Sequence, residues 1–371
     1  MKLMTLNTHS LVEPGYENKL KLFAEVVLRE RPDVIALQEV NQSMGEPAVE
    51  RERLLALGFV ECRYCVRRVE KAAIEAGAEA GESGEDVEYG AGGRCAEVPV
   101  RADNHAYRLA GLLAEGGAPY FWTWVPAKVG YGRYDEGTAL FSRLPIAEAE
   151  WMYLTGSRDY KNWKTRKALG ITVDFDGTRC RFFSLHMGWW KDEDEPFAGQ
   201  WERLSGYLRS VPGDVCFLMG DFNSPAGLQG EGWQLVSGSG WLDTYGLAAA
   251  KDDGVTVGGV IDGWRDDARN ADGTAPDAEG AENAEAAENE VGAEGAENAE
   301  NAEGAGNTEG GGVAAAAPEN GMRIDYIWVN REIPVLRSQV ICNGINGPVV
   351  SDHYGVMIEC EPDKCPGRGG L

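Results

Sequence analysis

A short apolar segment at residues 217–219 is followed by a glycine and then by two polar residues, Asp221 and Asn223, which are two positions apart. An apolar segment of strand length predicts a buried strand, and the spacing places the carboxylate and the carboxamide on the same side of the chain. A carboxylate there can orient a water molecule or bind a divalent cation, and the carboxamide can hold a phosphoryl oxygen. The same residue types also favour an Asx turn after a core strand, so this segment alone leaves both interpretations open.

Two more polar side chains follow predicted strands near the N-terminus. Residues 2–6 predict a strand that ends at Asn7, and an apolar segment before Gln38 and Glu39 predicts a second one. If these strands and the strand before Asp221 are neighbours in one sheet, their polar groups converge at one edge and suit a hard divalent cation. Taken alone, Glu39 is better explained as a helix-capping or surface carboxylate.

The elements that must position these residues follow from hydrophobic periodicity. Apolar residues at helical spacing predict helices over 17–30 and 103–115. A strand, a helix and a second strand within the first forty residues predict a layered α/β fold. Farther along, segments separated by turn residues predict an antiparallel meander with strands at 119–126, 138–143, 148–154, 168–175 and 179–186.

Composition and charge narrow the class of partner. The 371 residues are 43% hydrophobic, which suffices for a sizeable core, and carry a formal net charge of −25. Fifteen acidic residues and one basic residue lie between Asp266 and Glu319, so this segment supplies −14 and the remainder −11. An acidic chain argues against nucleic acid as a tightly held partner.

The sequence predicts a cytoplasmic protein without a membrane partner. No apolar segment approaches the ~20 residues needed to cross a bilayer. The N-terminal residues MKLMTLNTHS enter a strand pattern directly and lack the features of a signal peptide.

Two segments differ in composition from the rest of the chain. Residues from about 70 to 98 are rich in Ala, Gly and Glu, and predict a low-complexity insertion. Residues 270–320 repeat similar units with almost no large apolar side chains, so burial cannot offset the entropy of ordering and a disordered insertion is predicted. Around these insertions, residues 1–361 predict a single domain, followed by a polar tail at 362–371.

Six short motifs occur in order along the chain. They are Asn7, L-Q-E at 37–39, S-L-H at 184–186, G-D-F-N at 220–223, R-I-D-Y-I at 323–327 and S-D-H at 351–353. Together they resemble the endonuclease/exonuclease/phosphatase superfamily from residue 2 to about 361, outside the two insertions. The resemblance implies an α/β fold, a four-layer α/β/β/α sandwich of two packed mixed β-sheets flanked by helices. It also implies a metal-dependent phosphoesterase site at one end of the sheets.

The resemblance further implies how a metal ion and a water molecule are held. Glu39 would be the principal ligand of Mg²⁺, with Mn²⁺ as the alternative ion, and Asn7 and Asp352 would assist it. Asp221 would orient or deprotonate the attacking water. Asn223 would hold a phosphoryl oxygen.

Histidines complete the implied site. His186 and His353 would stabilise the developing charge, and Asp325 would pair with a histidine and fix its tautomer. A buried carboxylate beside His353 would raise the pKa of the ring and keep it cationic near neutral pH. For His9 and His105 an ordinary surface or core position is preferred.

Loops beside these motifs carry aromatic and basic side chains suited to a phosphorylated sugar. Indole rings can stack on sugar rings, and Arg can bind phosphate bidentately. For any single residue the alternatives are core packing of a Trp and a solvated surface charge. The candidates are Trp189, Trp190 and Trp264 for the sugar, and Arg133, Lys164, Arg166 and Arg265 for the phosphate.

Loop segments extend the resemblance to one branch of the superfamily. LNTHS, LQEVNQS, VGYGRYDEG, HMGWWKDEDEPF and IDGWRDD together look like bacterial maltose 6'-phosphate phosphatases, although the two insertions depart from that pattern. The implied substrate is maltose 6'-phosphate or a similar disaccharide phosphate, with no protein partner. One alternative is a nuclease or other phosphodiesterase, which would need a basic stripe along the cleft. The other is a catalytically inactive binding module, which would have lost a metal or histidine position.

Overall fold

Strands from the two ends of the chain form the centre of the first sheet. In the computed structural model, which describes residues 1–65, 98–210, 214–258 and 321–362, β1 (Lys2–Asn7) pairs parallel with β2 (Val34–Ser43). A parallel pair needs a crossover, which the helix Tyr16–Glu30 provides. The remaining strands are β4 (Phe121–Gly130), β5 (Tyr134–Ser142), β11 (Ala248–Lys251), β13 (Val335–Ile341) and β14 (Gly355–Cys360), in the order β11-β13-β14-β1-β2-β5-β4.

The second sheet is built around a fully buried strand, β9 (Val215–Asp221). This strand pairs parallel with β8 (Thr178–His186) and antiparallel with β12 (Asp325–Val329). The remaining strands are β3 (Arg63–Tyr64), β6 (Ile146–Tyr153), β7 (Lys167–Phe175) and β10 (Leu242–Asp243), in the order β10-β12-β9-β8-β7-β6-β3.

Helices cover the outer face of each sheet. The helices Tyr16–Glu30 and His105–Glu115 bury apolar residues against the first sheet, and Phe197–Arg209 does so against the second. Asn104 caps one of them, because its Oδ1 accepts a hydrogen bond from the Tyr107 backbone N–H at 3.1 Å. Shorter helices lie at Arg51–Ala56, Gly232–Gly238 and Thr244–Leu247.

Apolar side chains of the two sheets pack face to face in the interior. Leu3 and Val34 of the first sheet belong to the same buried cluster as Phe182 and Phe217 of the second, whose rings stack at 5.3 Å. Burial of this surface from water is the main favourable contribution to the sandwich. The layers run helix, sheet, sheet, helix, which confirms the predicted α/β/β/α architecture.

The segment between residues 119 and 186 differs from the predicted meander. β4 pairs with β5, and β6, β7 and β8 pair in sequence, all antiparallel. However, β5 and β6 lie in different sheets, so the turn at Arg143, Leu144 and Pro145 carries the chain from one sheet to the other. Turn residues mark where a strand ends but not which strand the next one joins.

Several sequence predictions concern residues that the structure does not describe. The predicted insertions at about 70–98 and 270–320 and the tail at 362–371 fall almost entirely outside the described residues and stay predictions. The described residues belong to one compact unit. Within them, no helix has both the length and the apolar character that crossing a membrane requires.

Candidate active site

Polar side chains from both sheets meet at one end of the sandwich. Asn7 ends β1 and Glu39 lies in β2 of the first sheet, whereas Asp221 ends β9 of the second. The Asn7 Nδ2 donates hydrogen bonds to Glu39 Oε1 at 2.8 Å and to Asp221 Oδ2 at 3.2 Å. The expectation of neighbouring strands in one sheet is confirmed for β1 and β2 and is wrong for β9, which lies in the other sheet. The side chains meet across the two facing sheets, because β1 and β9 end at the same end of the sandwich.

An irregularity in β2 positions Glu39. Its φ is 50°, and the pairing of β2 with β5 shifts register between Leu37 and Val40. Such a bulge re-aims a side chain that regular pleating would direct elsewhere. The hydroxyl groups of Thr8 and Ser10 donate to the Glu39 backbone oxygen at 3.2 Å and 2.7 Å, which fixes this conformation.

The segment after β9 is both a turn and part of the site. Gly220 has a φ of 143°, and a Cβ atom there would lie 2.0 Å from the Leu185 oxygen, so only glycine fits. The Asn223 backbone N–H donates to Asp221 Oδ1 at 2.8 Å, as in an Asx turn. The Asn223 Nδ2 donates to the Met187 oxygen at 2.8 Å. The turn thus orients the carboxylate and the carboxamide together.

A buried histidine–carboxylate pair lies beside Asp221. The His353 Nδ1 is 3.0 Å from Asp325 Oδ2, and its Nε2 is 4.0 Å from Asp221 Oδ2. Burial opposes a charge on the ring, but Asp325, with smaller contributions from the other nearby aspartates, raises the pKa of His353 to about 10. His353 is therefore cationic at neutral pH.

His186 approaches the same carboxylates in a different protonation state. Its Nε2 lies 3.7 Å from Asp221 Oδ2 and 4.0 Å from Glu39 Oε1. Burial lowers the pKa of His186 well below its usual value, and the nearby cations Arg166 and Lys128 lower it further. The ring is therefore neutral and can donate one N–H hydrogen bond.

The carboxylates fit a hard divalent cation. Burial and then the charge of Glu136 raise the pKa of Glu39, and burial raises the pKa of Asp221 to about 7. A cation held by Glu39 near Asp221 would offset both the burial and the repulsion. The Asp325 Oδ1 is also buried and has no hydrogen-bond partner among the described residues. Asn7 turns its amide nitrogen toward Glu39, so its amide must rotate by about 180° to present the oxygen as a ligand.

His9 lies at the rim of this cluster, although sequence reasoning gave it no role. Its Nδ1 is 2.8 Å from Glu13 Oε1 and 3.9 Å from Asp352 Oδ1, and its Nε2 is 3.0 Å from the Tyr131 hydroxyl. Burial opposes its charge, but the hydrogen bond to Glu13 raises the pKa of His9 to about 9. Asp352 lies exposed beside it. The spacing of four between His9 and Glu13 was the available sequence signal.

Sequence reasoning also missed a buried ion pair between β4 and β5. Lys128 and Glu136 face each other in the strand register, and Lys128 Nζ lies 3.0 Å from Glu136 Oε1. Both residues are buried. Burial lowers the pKa of Lys128 and the charge of Arg166 lowers it further, while Glu136 and Glu39 act in the opposite direction. The Lys128–Glu136 pair therefore lies near Glu39, the predicted principal metal ligand.

Arg166 is a second buried cation on the side of the site that Lys128 and Glu136 line. We call this side the wall of the site. The residue is 7% exposed, and its Nη1 donates to the backbone oxygens of Trp163 at 2.9 Å and Thr165 at 3.4 Å. Its Nε is buried without a hydrogen-bond partner in the described ranges, and no ion pair to it is found there. This guanidinium therefore retains an unused donor beside His186.

The loop after β6 and the segment after β8 are joined at the rim. The rings of Trp163 and Trp189 lie 5.7 Å apart, and Trp163 is 49% exposed. Lys164 Nζ lies 3.1 Å from Asp192 Oδ1 and 2.7 Å from Asp194 Oδ2. Trp189 was a sequence candidate, whereas Trp163 was not. Lys164 is already engaged in ion pairs, in contrast to Arg166.

The other predicted substrate residues have different surroundings. Trp190 packs 6.1 Å from the Phe197 ring, against the outer cluster of the second sheet. Arg133 is exposed and lies over the Tyr134 ring at 4.9 Å. Trp264 and Arg265 lie outside the described residues.

The family follows from a match over nearly the whole chain. The sequence profile of the Endonuclease/Exonuclease/phosphatase family matches residues 4–353. The chain therefore belongs to this family, whose members are hydrolases that act on phosphoesters. A search of curated proteins found no match.

Solved structures share the fold at low identity. A family protein from Leptotrichia buccalis is 24% identical, with a TM-score of 0.65 and coverage of 97% of this chain and 99% of that one. A mannosyl-6-phosphatase from Bacteroides thetaiotaomicron is 13% identical, with a TM-score of 0.50 and coverage of 97% and 99%. TDP2 from D. rerio, complexed with a single-strand DNA product, is 12% identical, with a TM-score of 0.50 and coverage of 96% and 97%.

Proposed function

We propose that this protein is a cytoplasmic, divalent-metal-dependent phosphatase that removes phosphate from a phosphorylated sugar. The observation that carries the proposal is the meeting of Asn7, Glu39 and Asp221 with the His353–Asp325 pair. Hydrolysis of a phosphate ester requires neutralised phosphoryl oxygens, an oriented water and stabilisation of the leaving oxygen. These side chains offer groups for each requirement.

Glu39, Asn7 and Asp352 would hold the cation. Mg²⁺, or alternatively Mn²⁺, would supply Lewis-acid polarisation of a phosphoryl oxygen. The exposed side chain of Asp352 faces the rim, which keeps the ligand set accessible from solvent. Glu39 is the most constrained of the three, because its backbone conformation is fixed by two hydroxyl groups.

The remaining polar groups divide the chemistry. Asp221 orients the attacking water and accepts its proton, since burial raises the pKa of its carboxyl group to about 7. Asn223 uses one amide hydrogen for the Met187 oxygen and retains a second for a phosphoryl oxygen. Cationic His353 stabilises developing negative charge, and neutral His186 contributes a hydrogen bond.

A sugar phosphate is the substrate class that we favour, with maltose 6'-phosphate as the first candidate. An exposed indole at Trp163 beside Trp189 offers a stacking face for a sugar ring. The Arg166 Nε has no hydrogen-bond partner among the described residues, which favours an anion near this guanidinium, whereas Lys164 is held by two aspartates. The net charge of −25 opposes a polyanion such as DNA.

A substrate screen tests this function. Purified protein with Mg²⁺ should release phosphate from maltose 6'-phosphate faster than from other sugar phosphates. Single-stranded and duplex oligonucleotides should remain uncut under the same conditions. Faster cleavage of the oligonucleotides would establish the nuclease alternative, and no turnover of any phosphoester would favour the inactive binding module.

A further inference from the structure

In the described part of the chain, the wall of the site beside His186 consists of two buried cations, Lys128 and Arg166, and one buried carboxylate, Glu136. Lys128 pairs with Glu136 at 3.0 Å, whereas the described hydrogen bonds of Arg166 go only to backbone oxygens. Glu39 also attracts Lys128, but a bound metal ion would engage that carboxylate. The wall thus carries one positive charge more than its dedicated partner neutralises.

An unpaired guanidinium in a buried position is unfavourable. A buried ion without a partner destabilises the fold, because the protein interior solvates it less well than water does. Arg166 is 7% exposed, and its Nε donor has no partner in the described part of the chain. The geometry therefore calls for an anion at this wall.

We propose that Lys128 and Arg166 form a cationic pocket for a terminal phosphate oxygen, and so make the enzyme specific for phosphomonoesters over phosphodiesters. This inference rests on the proposed phosphoester hydrolysis and specifies its substrate class. A monoester has three terminal oxygens and a charge of about −1.5 to −2 at pH 7. A diester has two terminal oxygens and one charge, and its second ester group would bring an uncharged chain against buried cations.

Glu136 acts as the positioning residue of this pocket. Its carboxylate holds the Lys128 ammonium from the adjacent strand, so that the flexible lysine stem keeps one orientation. Gly130 leaves room for the Glu136 carboxylate, because a Cβ atom at residue 130 would lie 2.4 Å from Glu136 Oε2. Lys128 is therefore presented to the site instead of extending toward solvent.

Matched esters test the pocket. We would measure kcat/KM for p-nitrophenyl phosphate and bis-p-nitrophenyl phosphate with the wild type and with Lys128→Met. The variant should lose roughly 10²-fold on the monoester, the range for removal of one charged donor, and less than about 5-fold on the diester. The double variant Lys128→Met/Glu136→Gln leaves no unpaired carboxylate and should give the same ratio. Lys161→Met, at an exposed position of the same loop as Arg166, is the control and should match the wild type.

Binding of inorganic phosphate separates this inference from the proposed function. In calorimetry with Mg²⁺ present, Lys128→Met should bind phosphate at least ~10-fold more weakly than the wild type, and Lys161→Met should not differ. If no ester is turned over but this difference holds, the hydrolase proposal fails and the pocket stands. Equal phosphate affinity in wild type and Lys128→Met, or equal losses on both esters, would overturn the pocket.

Discussion

Two buried histidines in different regions of the molecule have opposite protonation states. His353, at the polar end of the sandwich, is 3% exposed, and His105, at the start of the helix on the first sheet, is 4% exposed. Burial disfavours a charge on His353, but the Asp325 carboxylate at hydrogen-bond distance, together with other nearby aspartates, raises its pKa to about 10. The Tyr16 hydroxyl lies 3.2 Å from His105 Nδ1, and burial lowers the pKa of His105 to about 3.

The hydrogen-bond partner of each imidazole ring, rather than the burial of the ring, decides the difference in protonation state. Burial disfavours the imidazolium in both regions, and a carboxylate at hydrogen-bond distance reverses that preference. The polar end thus keeps a cation next to Asp221, where phosphate chemistry can use it. Around His105 the same residue type only fills space in the core.

The largest effect should come from Asp325→Asn. An amide removes the negative charge that favours protonated His353 and weakens control of its tautomer. We expect kcat for the phosphatase reaction to fall by roughly 10²-fold or more. Steady-state kinetics on the preferred substrate would measure this. His105→Gln should leave kcat within 2-fold of the wild type. Comparable losses of kcat in both variants would contradict the claim that only His353, with its carboxylate partner, serves the reaction.

A smaller effect is expected from Trp163→Ala. Loss of the exposed indole should raise KM for a sugar phosphate by roughly 10-fold, equivalent to about 1.4 kcal/mol, and change kcat little. Inhibition or turnover measured over a range of substrate concentrations separates the two constants. The control is Phe121→Ala, which removes an exposed aromatic side chain at the first residue of β4 and should leave KM unchanged. An unchanged KM would show that the Trp163 indole does not stack on the sugar ring of the substrate.

The smallest effect concerns stability and pH. Folded His105 has a pKa of about 3, below the usual 6.5, so the unfolded chain binds more protons between these values. The contribution of His105 to stability is therefore present above pH 6.5 and is lost as pH falls toward 3, by at most about 1.4 kcal/mol per pH unit. Urea unfolding at pH 7 and pH 5 should show a smaller loss of stability in His105→Gln than in the wild type. Equal losses would show that His105 is not neutral in the folded state.

Sequence reasoning located the residues that stand in short motifs at strand ends. Asp221, Asn223, Asp325 and His353 all lie at the end of the sandwich where the two sheets meet. The family and the four-layer architecture followed from the order of the motifs. Asp221 and Asn223 directly follow an apolar segment, whereas Asp325 is a single carboxylate between apolar neighbours.

The buried charges within strands were not visible in the same way. Lys128 and Glu136 lie in β4 and β5, which are covered on both faces, so no alternation of polar and apolar residues marks their direction. Trp163 was missed because its contact with Trp189 joins two separate loops. The crossing from β5 to β6 was missed because a turn between strands has the same composition whether or not the strands pair.

The most direct test of the central claim is phosphate release from maltose 6'-phosphate by the wild type and by Asp221→Asn, each with Mg²⁺ or with EDTA. We predict release by the wild type with Mg²⁺, its abolition by EDTA, and a rate for Asp221→Asn lower by roughly 10²-fold or more. Release that continues in EDTA, or a fully active Asp221→Asn, would contradict the assignment of this end of the sandwich as a metal-dependent phosphatase site.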